Sequence, residues 1–156
     1  MRIYKYNIIK FYYFRESVLE WMDCLWSLGS SLSHEKSFKT KPKMKLNITR
    51  PLIVFDLETT GLDLVRDRII QISYIKVMPD GNEERENLLI NPGKNIPQEV
   101  TELTGISDDD VKDAPSFKDV AQQLNEKMKN CDFAGYNSNH FDIPMLAEEF
   151  LRAGID

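Results

Sequence analysis

Apolar residues change their spacing along the chain, and these changes predict the secondary structure of its larger part. Residues 52–55 form a continuous apolar run, which is typical of a strand buried on both faces. Residues 68–78 and 83–90 are also strand-like, and the Pro-Asp-Gly-Asn sequence at 79–82 favours a tight turn between them. The pattern therefore predicts one strand followed by a hairpin.

Helical spacing begins after the hairpin. Pro97 suits the first turn of a short helix that runs to about Leu103, and the Ser-Asp-Asp-Asp sequence at 107–110 resembles a capping box for a second short turn. Pro115 is predicted to open a longer helix, in which apolar residues recur at intervals of three and four positions. Those residues are Phe117, Val120, Ala121, Leu124 and Met128.

A short strand and a last helix complete the pattern. The strand is predicted at residues 131–136, and the helix begins near Asp142 and reaches Ala153, just before Gly154. Three strands, then helices, then a strand and a helix predict an α/β fold, a mixed sheet with helices packed on it.

The first fifty residues differ in composition from the rest. They hold ten Lys/Arg against four Asp/Glu, a net charge of +6, and nine of the sixteen aromatic residues, whereas the chain from Pro51 onward carries −11. Apolar residues at helical spacing in 18–26 predict an amphipathic helix, and residues 30–45 have a linker composition. We therefore expect an extension at 1–49 and a domain at 50–156; a true start at Met44 is the alternative.

Charge and cysteine content limit the possible settings and partners. The acidic body argues against broad, nonspecific nucleic-acid binding, which needs clustered Lys/Arg. Acids and Arg15 interrupt any approach to the roughly 18 to 20 apolar residues of a membrane span, so no membrane is expected. Cys24 and Cys131 match no metal-ligand or redox spacing. A reducing, cytoplasmic setting is therefore expected.

Two acids lie at the end of the first predicted strand. Asp56 and Glu58 are two residues apart, so both side chains project from one face, with Cα atoms about 6 to 7 Å apart. Two such carboxylates repel each other, and a divalent cation between them relieves that repulsion. Oxygen ligands favour Mg²⁺ or Mn²⁺ over zinc. The alternative is a pair of acids that only caps the next turn.

A second polar segment lies at residues 135–144, where a short strand runs into a loop. Asp142 stands where the following helix begins. Its carboxylate could cap that helix and meet its positive end. It could instead turn toward a metal held by another strand, and the pattern leaves both alternatives open.

Together, Phe-Asp-Leu-Glu-Thr-Thr-Gly at 55–61 and Tyr-Asn-Ser-Asn-His-Phe-Asp at 136–142 resemble the first and second motifs of the DnaQ-like 3′–5′ exonucleases. This is the DEDD superfamily, which includes the proofreading epsilon subunit of DNA polymerase III. Residues 90–106, from Ile-Asn-Pro to Leu-Thr-Gly-Ile, also resemble the family's link between hairpin and long helix. The resemblance covers about residues 50–156 and implies a ribonuclease H-like fold, incomplete at the C-terminus.

The resemblance also implies roles for individual residues. Asp56, Glu58 and Asp142 would be the catalytic carboxylates and would bind two Mg²⁺ or Mn²⁺ ions. In the family these ions, about 3.5 to 4 Å apart, activate a water and stabilise the leaving 3′ oxygen. Thr104 stands where relatives often have His. The residues expected to bind the terminal nucleotide are Thr59, Thr60, Gly61, Leu62, Thr104, Asn137 and Phe141.

The family completes its site with a third motif that this sequence lacks. That motif is a His base with an Asp ligand five residues later, downstream of the last helix, whereas the sequence printed here stops at Asp156. His34 and His140 do not match the position of that base. We therefore expect this chain to be inactive or nearly so.

The expected partners are single-stranded DNA or RNA 3′ ends, together with a DNA polymerase as an implied associate. Two alternatives stay open. One is a noncatalytic nucleic-acid-binding module. The other is a haloacid-dehalogenase-like phosphatase, whose opening Asp-x-Asp-x-Thr motif differs from residues 56–60 by Glu in the second acidic place.

Overall fold

The computed structural model describes residues 47–156, which form a four-stranded sheet with helices packed on it. The helix predicted within 18–26 and the linker at 30–45 lie outside the described residues. The strands are β1 (Leu52–Thr59), β2 (Ile69–Val77), β3 (Glu83–Leu89) and β4 (Asp132–Ala134). The helices are α1 (Gln98–Thr104), α2 (Asp108–Val111), α3 (Phe117–Met128) and α4 (Asp142–Arg152).

The sheet is mixed, as the order of elements predicts. Its strands lie in the order β3-β2-β1-β4; β1, β2 and β3 pair antiparallel, and β4 runs parallel to β1. The predicted turn joins β2 to β3, where the N–H of Gly81 donates to the carbonyl of Met78 at 2.8 Å. Gly81 has φ 83°, a left-handed conformation that glycine adopts without strain.

The main core lies on one face of this sheet. Ile53, Phe55 and Leu57 of β1 are buried there against apolar residues of α3 and α4, among them Leu124 and Met145. The residues that alternate with them along β1 are only half-buried, so the prediction of a strand buried on both faces was wrong for the second face. That second face carries Asp56 and Glu58, because side chains alternate along a strand.

A β-bulge in β2 lies between the main core and a second, smaller core. The register of β1 and β2 shifts between Glu58 and Thr59, so Thr59 pairs with Ile69 while Glu58 pairs with Gln71. Ile70 is therefore the extra residue of the bulge, so Ile69 shares the main-core face with Ile72, while Ile70 is buried in the smaller cluster. Ile70 packs with Ile96, Ile106 and Val111, around the short helices α1 and α2.

The helix starts follow capping chemistry. The capping box predicted at Ser107 is present, with its N–H donating to the carboxylate of Asp110 at 2.8 Å. A second box, formed by Ser116 and Asp119, begins α3 two residues later than Pro115 suggested, because Ser116 takes the N-cap position. Among the described helices, none combines the length and the apolar character needed to cross a membrane.

Candidate active site

Asp56 and Glu58 lie within β1, on the face opposite the main core. Both side chains are half-buried, and their partners across the antiparallel pair are Ser73 and Gln71. Because β1 continues to Thr59, these acids are part of the ladder and do not cap a turn. The prediction that they share one face is confirmed.

Gly135 brings the second polar segment against β1. A Cβ atom at this position would lie 2.9 Å from the carbonyl oxygen of Phe55 and 2.9 Å from Cβ of Ser138. Only a residue without a side chain lets the chain leave β4 so close to the β1 backbone. The following loop therefore folds back beside Asp56.

Asp142 is the first residue of α4, and its side chain is 8% exposed. Phe141 holds the N-cap position, and no side chain caps the helix. Burial and the charge of Asp56 raise the pKa of Asp142, and the backbone N–H groups of Asp142 itself and of Leu57 in β1 oppose that rise. The Leu57 N–H also opposes the rise that burial causes in the pKa of Asp56. The Asp142 carboxylate therefore lies near its own N–H at the start of α4 and near the Leu57 N–H of β1, and both alternatives stay open.

The electrostatics of these three acids are those of an unneutralised cluster. Burial raises the pKa of Asp56, although the Leu57 N–H opposes it. Burial, together with the charges of Asp56 and Asp142, raises the pKa of Glu58 to about 7. Burial and the charge of Asp56 raise the pKa of Asp142 to about 6. We call Asp56, Glu58 and Asp142 the carboxylate site.

The carboxylate site suits a divalent cation by its donor chemistry. Hard oxygen ligands that raise one another's pKa are stabilised when a cation takes the place of their protons. Across residues 47–156, however, no three or more His, Cys, Asp or Glu side chains converge so that they could hold a metal ion. The three acids therefore lie close enough to interact electrostatically, but they are not already arranged as a three-ligand metal site.

The loop that joins β1 to β2, residues 60–68, begins beside these acids. The Thr60 hydroxyl donates to Oδ1 of Asp67 at 2.9 Å, and the N–H of Asp63 donates to Oδ2 of Asp67 at 2.9 Å. A Cβ atom on Gly61 would lie 2.5 Å from Oδ2 of Asp67, so this glycine lets the loop close on that carboxylate. Leu62, between them, is 81% exposed.

A family model described as an exonuclease, RNase_T, matches residues 53–156, which is about two thirds of the chain. The chain belongs to this exonuclease family. The match confirms the resemblance to DnaQ-like exonucleases, and it favours that resemblance over the haloacid-dehalogenase-like phosphatase.

Relatives with this exonuclease domain include replication proteins. The DNA polymerase III PolC-type protein of Oceanobacillus iheyensis is 37% identical over 100 residues, which are 64% of this chain and 7% of that protein. The DNA polymerase III subunit epsilon of Buchnera aphidicola subsp. Schizaphis graminum is 32% identical over 111 residues, 67% of this chain and 47% of that protein. The chain thus spans less than half the length of either relative.

Solved structures confirm the fold class. The crystal structure of E. coli Exonuclease I in complex with a dA16 oligonucleotide superposes with a TM-score of 0.61 at 21% identity. The superposition covers 68% of this chain and 24% of that chain. The exonuclease-family domain is therefore an α/β, ribonuclease H-like mixed sheet with flanking helices, as the resemblance implied.

The residues that the resemblance implied for nucleotide binding are placed unevenly in the exonuclease-family domain. Thr59 and Thr60 are buried beside Glu58, whereas Asn137 is exposed and takes a left-handed φ of 53°. Phe141 is half-buried and directly precedes Asp142. The Thr104 hydroxyl is used within its own turn: it donates to the Val100 carbonyl at 2.9 Å and accepts from the Ile106 N–H at 3.1 Å.

Sequence reasoning missed the residues that fix the β1–β2 loop of this exonuclease-family domain. Arg152, at the end of α4, donates to carbonyls of the loop and to Glu149, which is 4% exposed. Lys94 donates to the loop from beyond β3. No local pattern marks these residues, because 85 residues separate Arg152 from Asp67.

Proposed function

We propose that residues 50–156 are part of a metal-dependent 3′–5′ exonuclease domain that hydrolyses terminal phosphodiesters of DNA or RNA, preceded by an extension at 1–49. One observation carries the proposal. Family membership is joined here to three half-buried or buried acids, from β1 and α4, whose pKa values are raised by burial and, for Glu58 and Asp142, also by neighbouring carboxylates. None of the three has a basic partner in the described residues. Such a cluster is costly unless cations bind it.

In this proposal each residue has a defined task. Asp56, Glu58 and Asp142 would hold two Mg²⁺ or Mn²⁺ ions, which would supply Lewis-acid activation of a water and charge stabilisation for the leaving 3′ oxygen. The Leu57 N–H lies near the carboxylates of Asp56 and Asp142 and opposes the rise in both pKa values.

The terminal nucleotide lies on the start of the β1–β2 loop. There Thr59, Thr60 and Gly61 offer backbone groups and exposed Leu62 offers an apolar contact. Asn137 and Phe141 border the nucleotide near Asp142. Thr104 contributes through its methyl group, because its hydroxyl is already bonded within its turn.

The proposed substrate is a single-stranded 3′ end. The relatives are DNA polymerase III proteins, and the structural neighbour was solved with a dA16 oligonucleotide, so DNA is the better supported of the two nucleic acids. The same relatives support association with a DNA polymerase. Buried Cys131, a free thiol, is compatible with the reducing cytoplasm proposed as its location.

Residues 1–156 by themselves are proposed to be inactive or very slow. The resemblance implies a His base and a further Asp ligand five residues later, and no such pair follows α4 in the 156 residues. The experiment is cleavage of a 3′-labelled oligothymidylate with Mn²⁺ present. Release of labelled mononucleotide at a rate typical of an enzyme would contradict the inactivity, and it would strengthen the exonuclease assignment.

Metal binding tests the carboxylate site without requiring activity. Calorimetric titration with Mn²⁺ is expected to show binding to the wild-type chain. Asp56→Asn and Asp142→Asn each should weaken it at least about tenfold, because each removes a charged ligand. Asp109→Asn is the matched control, since Asp109 is an exposed acid of α2. Equal affinity in all four chains would overturn the shared site.

A noncatalytic nucleic-acid-binding module is the second candidate. It is favoured by one observation: the carboxylates of the described residues are not arranged as a three-ligand cage. Binding of oligothymidylate that is unchanged by EDTA and by Asp56→Asn would establish this function over the first. Binding that needs Mn²⁺ and Asp56 would support the exonuclease.

A further inference from the structure

The β1–β2 loop has little backbone hydrogen bonding of its own. Within residues 60–68 the backbone bonds are those between Thr60 and Arg68, at 2.9 Å, and between Asp67 and Asp63, at 2.8 Å. Basic side chains instead donate hydrogen bonds to four consecutive carbonyl oxygens, those of residues 64–67. Basic side chains therefore supply the hydrogen-bond donors for the second half of this loop, and two of them, Arg152 and Lys94, come from outside it.

Arg152 makes the largest share of these bonds. Its Nη2 donates to the carbonyls of Leu64 and, at 2.8 Å, of Val65, and its Nη1 reaches the carbonyl of Asp67 at 3.3 Å. Buried Glu149 fixes the guanidinium, accepting from Nη1 at 2.9 Å. A planar guanidinium can serve several acceptors at once, whereas a lysine amine acts as a single point charge.

The bonds continue from Arg152 to the start of the loop. The Asp67 residue whose carbonyl Arg152 binds also accepts, through its carboxylate, from the Thr60 hydroxyl and the Asp63 N–H. Lys94 supports the same carboxylate at 3.2 Å. Residues 60–63, which include exposed Leu62, are therefore held in place from the far end of the loop.

The same helix carries Asp142 at its first residue and Arg152 at its last. Eleven helical residues span about 16 Å. A single element thus places one acid of the carboxylate site and also clamps the loop that lies beside Asp56 and Glu58.

We infer that Arg152 is a positioning residue for the terminal nucleotide: through Asp67 it sets where Thr60–Leu62 lie relative to Asp142. The inference rests on the function proposed above. Arg152 contacts neither substrate nor cation in this role. It fixes the distance between the nucleotide loop and the carboxylates, so its loss weakens nucleotide binding and leaves the affinity of the site for the cation alone unchanged.

The test compares Arg152→Met with Arg152→Lys in the full chain. Lys129→Met is the matched control, because Lys129 is also a cation at a helix end but contacts only Glu126, at 4.0 Å. Three measurements are made on each chain: hydrogen exchange of the loop amides, Mn²⁺ affinity, and affinity for thymidine 5′-monophosphate at saturating Mn²⁺.

In Arg152→Met, the amides of Asp63 and Arg68 are expected to exchange at least about tenfold faster, and nucleotide affinity is expected to fall about tenfold. Mn²⁺ affinity should stay within about twofold of wild type. Arg152→Lys should recover part of both losses, and Lys129→Met should match wild type. A general loss of folding would not give weaker nucleotide binding with unchanged Mn²⁺ affinity, because it would also speed exchange in β1 and weaken Mn²⁺ binding.

Two results would overturn the inference. One is unchanged loop exchange in Arg152→Met; the other is unchanged nucleotide affinity despite faster exchange. If Arg152→Met does not fold, Arg152→Lys decides by the same criteria. A wild-type chain that binds Mn²⁺ but no nucleotide overturns the inference and leaves the carboxylate site intact, whereas one that binds no Mn²⁺ overturns the proposed function itself.

Discussion

The carboxylate site and the β1–β2 loop both concentrate acids, but their acids have opposite electrostatic surroundings. In the carboxylate site burial and mutual repulsion raise the pKa of Glu58 to about 7 and that of Asp142 to about 6. In the loop burial also acts on Asp67, but the Asp63 N–H, the Thr60 hydroxyl and Lys94 outweigh it and lower its pKa. The acids of the loop are thus matched with donors, whereas the proposed ligands of the carboxylate site are not.

The difference shows that the number of acids alone does not identify a functional cluster. The loop contains Asp63 and Asp67 as well as Arg66, and the Arg66 side chain lowers the pKa of Asp63 through a hydrogen bond. In the carboxylate site, the donors that oppose the raised pKa values of Asp56 and Asp142 are backbone N–H groups. A cluster whose donors are supplied by the protein needs no cation, whereas one that lacks them retains an affinity for cations.

The largest expected effect comes from replacing a glycine beside the carboxylate site, compared with replacing a glycine of the β1–β2 loop. Gly135→Ala should lower the free energy of unfolding by about 1 to 3 kcal/mol, because its Cβ would meet the Phe55 backbone. It should also weaken Mn²⁺ binding, since the loop before Asp142 must move away from β1. Chemical denaturation and Mn²⁺ titration measure the two effects.

Gly61→Ala is the counterpart in the β1–β2 loop. Its Cβ would meet the carboxylate of Asp67, a side chain that can turn, so a smaller loss of stability and unchanged Mn²⁺ affinity are expected. If Gly61→Ala weakens Mn²⁺ binding as much as Gly135→Ala does, the two regions are not separable.

The next prediction compares two acid-to-amide substitutions that should affect the free energy of unfolding differently. Asp67→Asn should cost about 1 to 2 kcal/mol of unfolding free energy, because it removes a charged acceptor of the Thr60 hydroxyl and the Asp63 N–H. Glu58→Gln at pH 7.5 without divalent ions should instead be neutral or slightly stabilising, because it removes repulsion from Asp56 and Asp142. Urea denaturation of both variants measures this, and losses of equal size would contradict the comparison.

A smaller effect is expected in the pH dependence of melting. The raised pKa values mean that the folded chain keeps protons on Glu58 and Asp142 that the unfolded chain loses above its ordinary values of 4.5 and 3.8. Between about pH 4 and 7 the free energy of unfolding from this site therefore falls as pH rises. In EDTA, the melting midpoint should therefore drop from pH 5.5 to pH 7.5.

The loop acids act in the opposite direction and at lower pH. The pKa of Asp67 is lowered below 3.8, so its contribution is present above that value and is lost as pH falls through it. Glu58→Gln should flatten the slope between pH 5.5 and 7.5, whereas Asp67→Asn should leave it unchanged. A midpoint in EDTA that rises over this range would contradict the raised pKa values.

The smallest effect on stability is expected at Leu62. Its side chain is 81% exposed, so Leu62→Ala should change the free energy of unfolding by less than about 0.5 kcal/mol. Under the proposed function it should nevertheless weaken binding of thymidine 5′-monophosphate in the presence of Mn²⁺. Leu151→Ala, on the exposed side of α4, is the control that should alter neither quantity. Unchanged nucleotide affinity in Leu62→Ala would remove Leu62 from the site.

Local pattern was a good guide to the elements of the domain. Apolar spacing placed β2 and β3 within about a residue of their observed bounds, and the turn between them follows from its Pro-Asp-Gly-Asn sequence. The observed start of α3 differs because Ser116 and Asp119 form a capping box that apolar spacing does not reveal. The strand predicted at 131–136 shortened to Asp132–Ala134, because Gly135 already begins the loop against β1.

The sequence by itself determined the secondary structure, the family and the acids of the carboxylate site, because spacing along one strand and two short motifs are local properties. Tertiary structure alone decided that Asp142 lies beside β1, that Ile70 is the extra residue of the bulge in β2, and which cations hold the β1–β2 loop. Each of these depends on sheet register or on contacts between distant segments, such as the 85 residues from Asp67 to Arg152. Local spacing cannot encode them, because the energy that selects them arises only when the elements pack together.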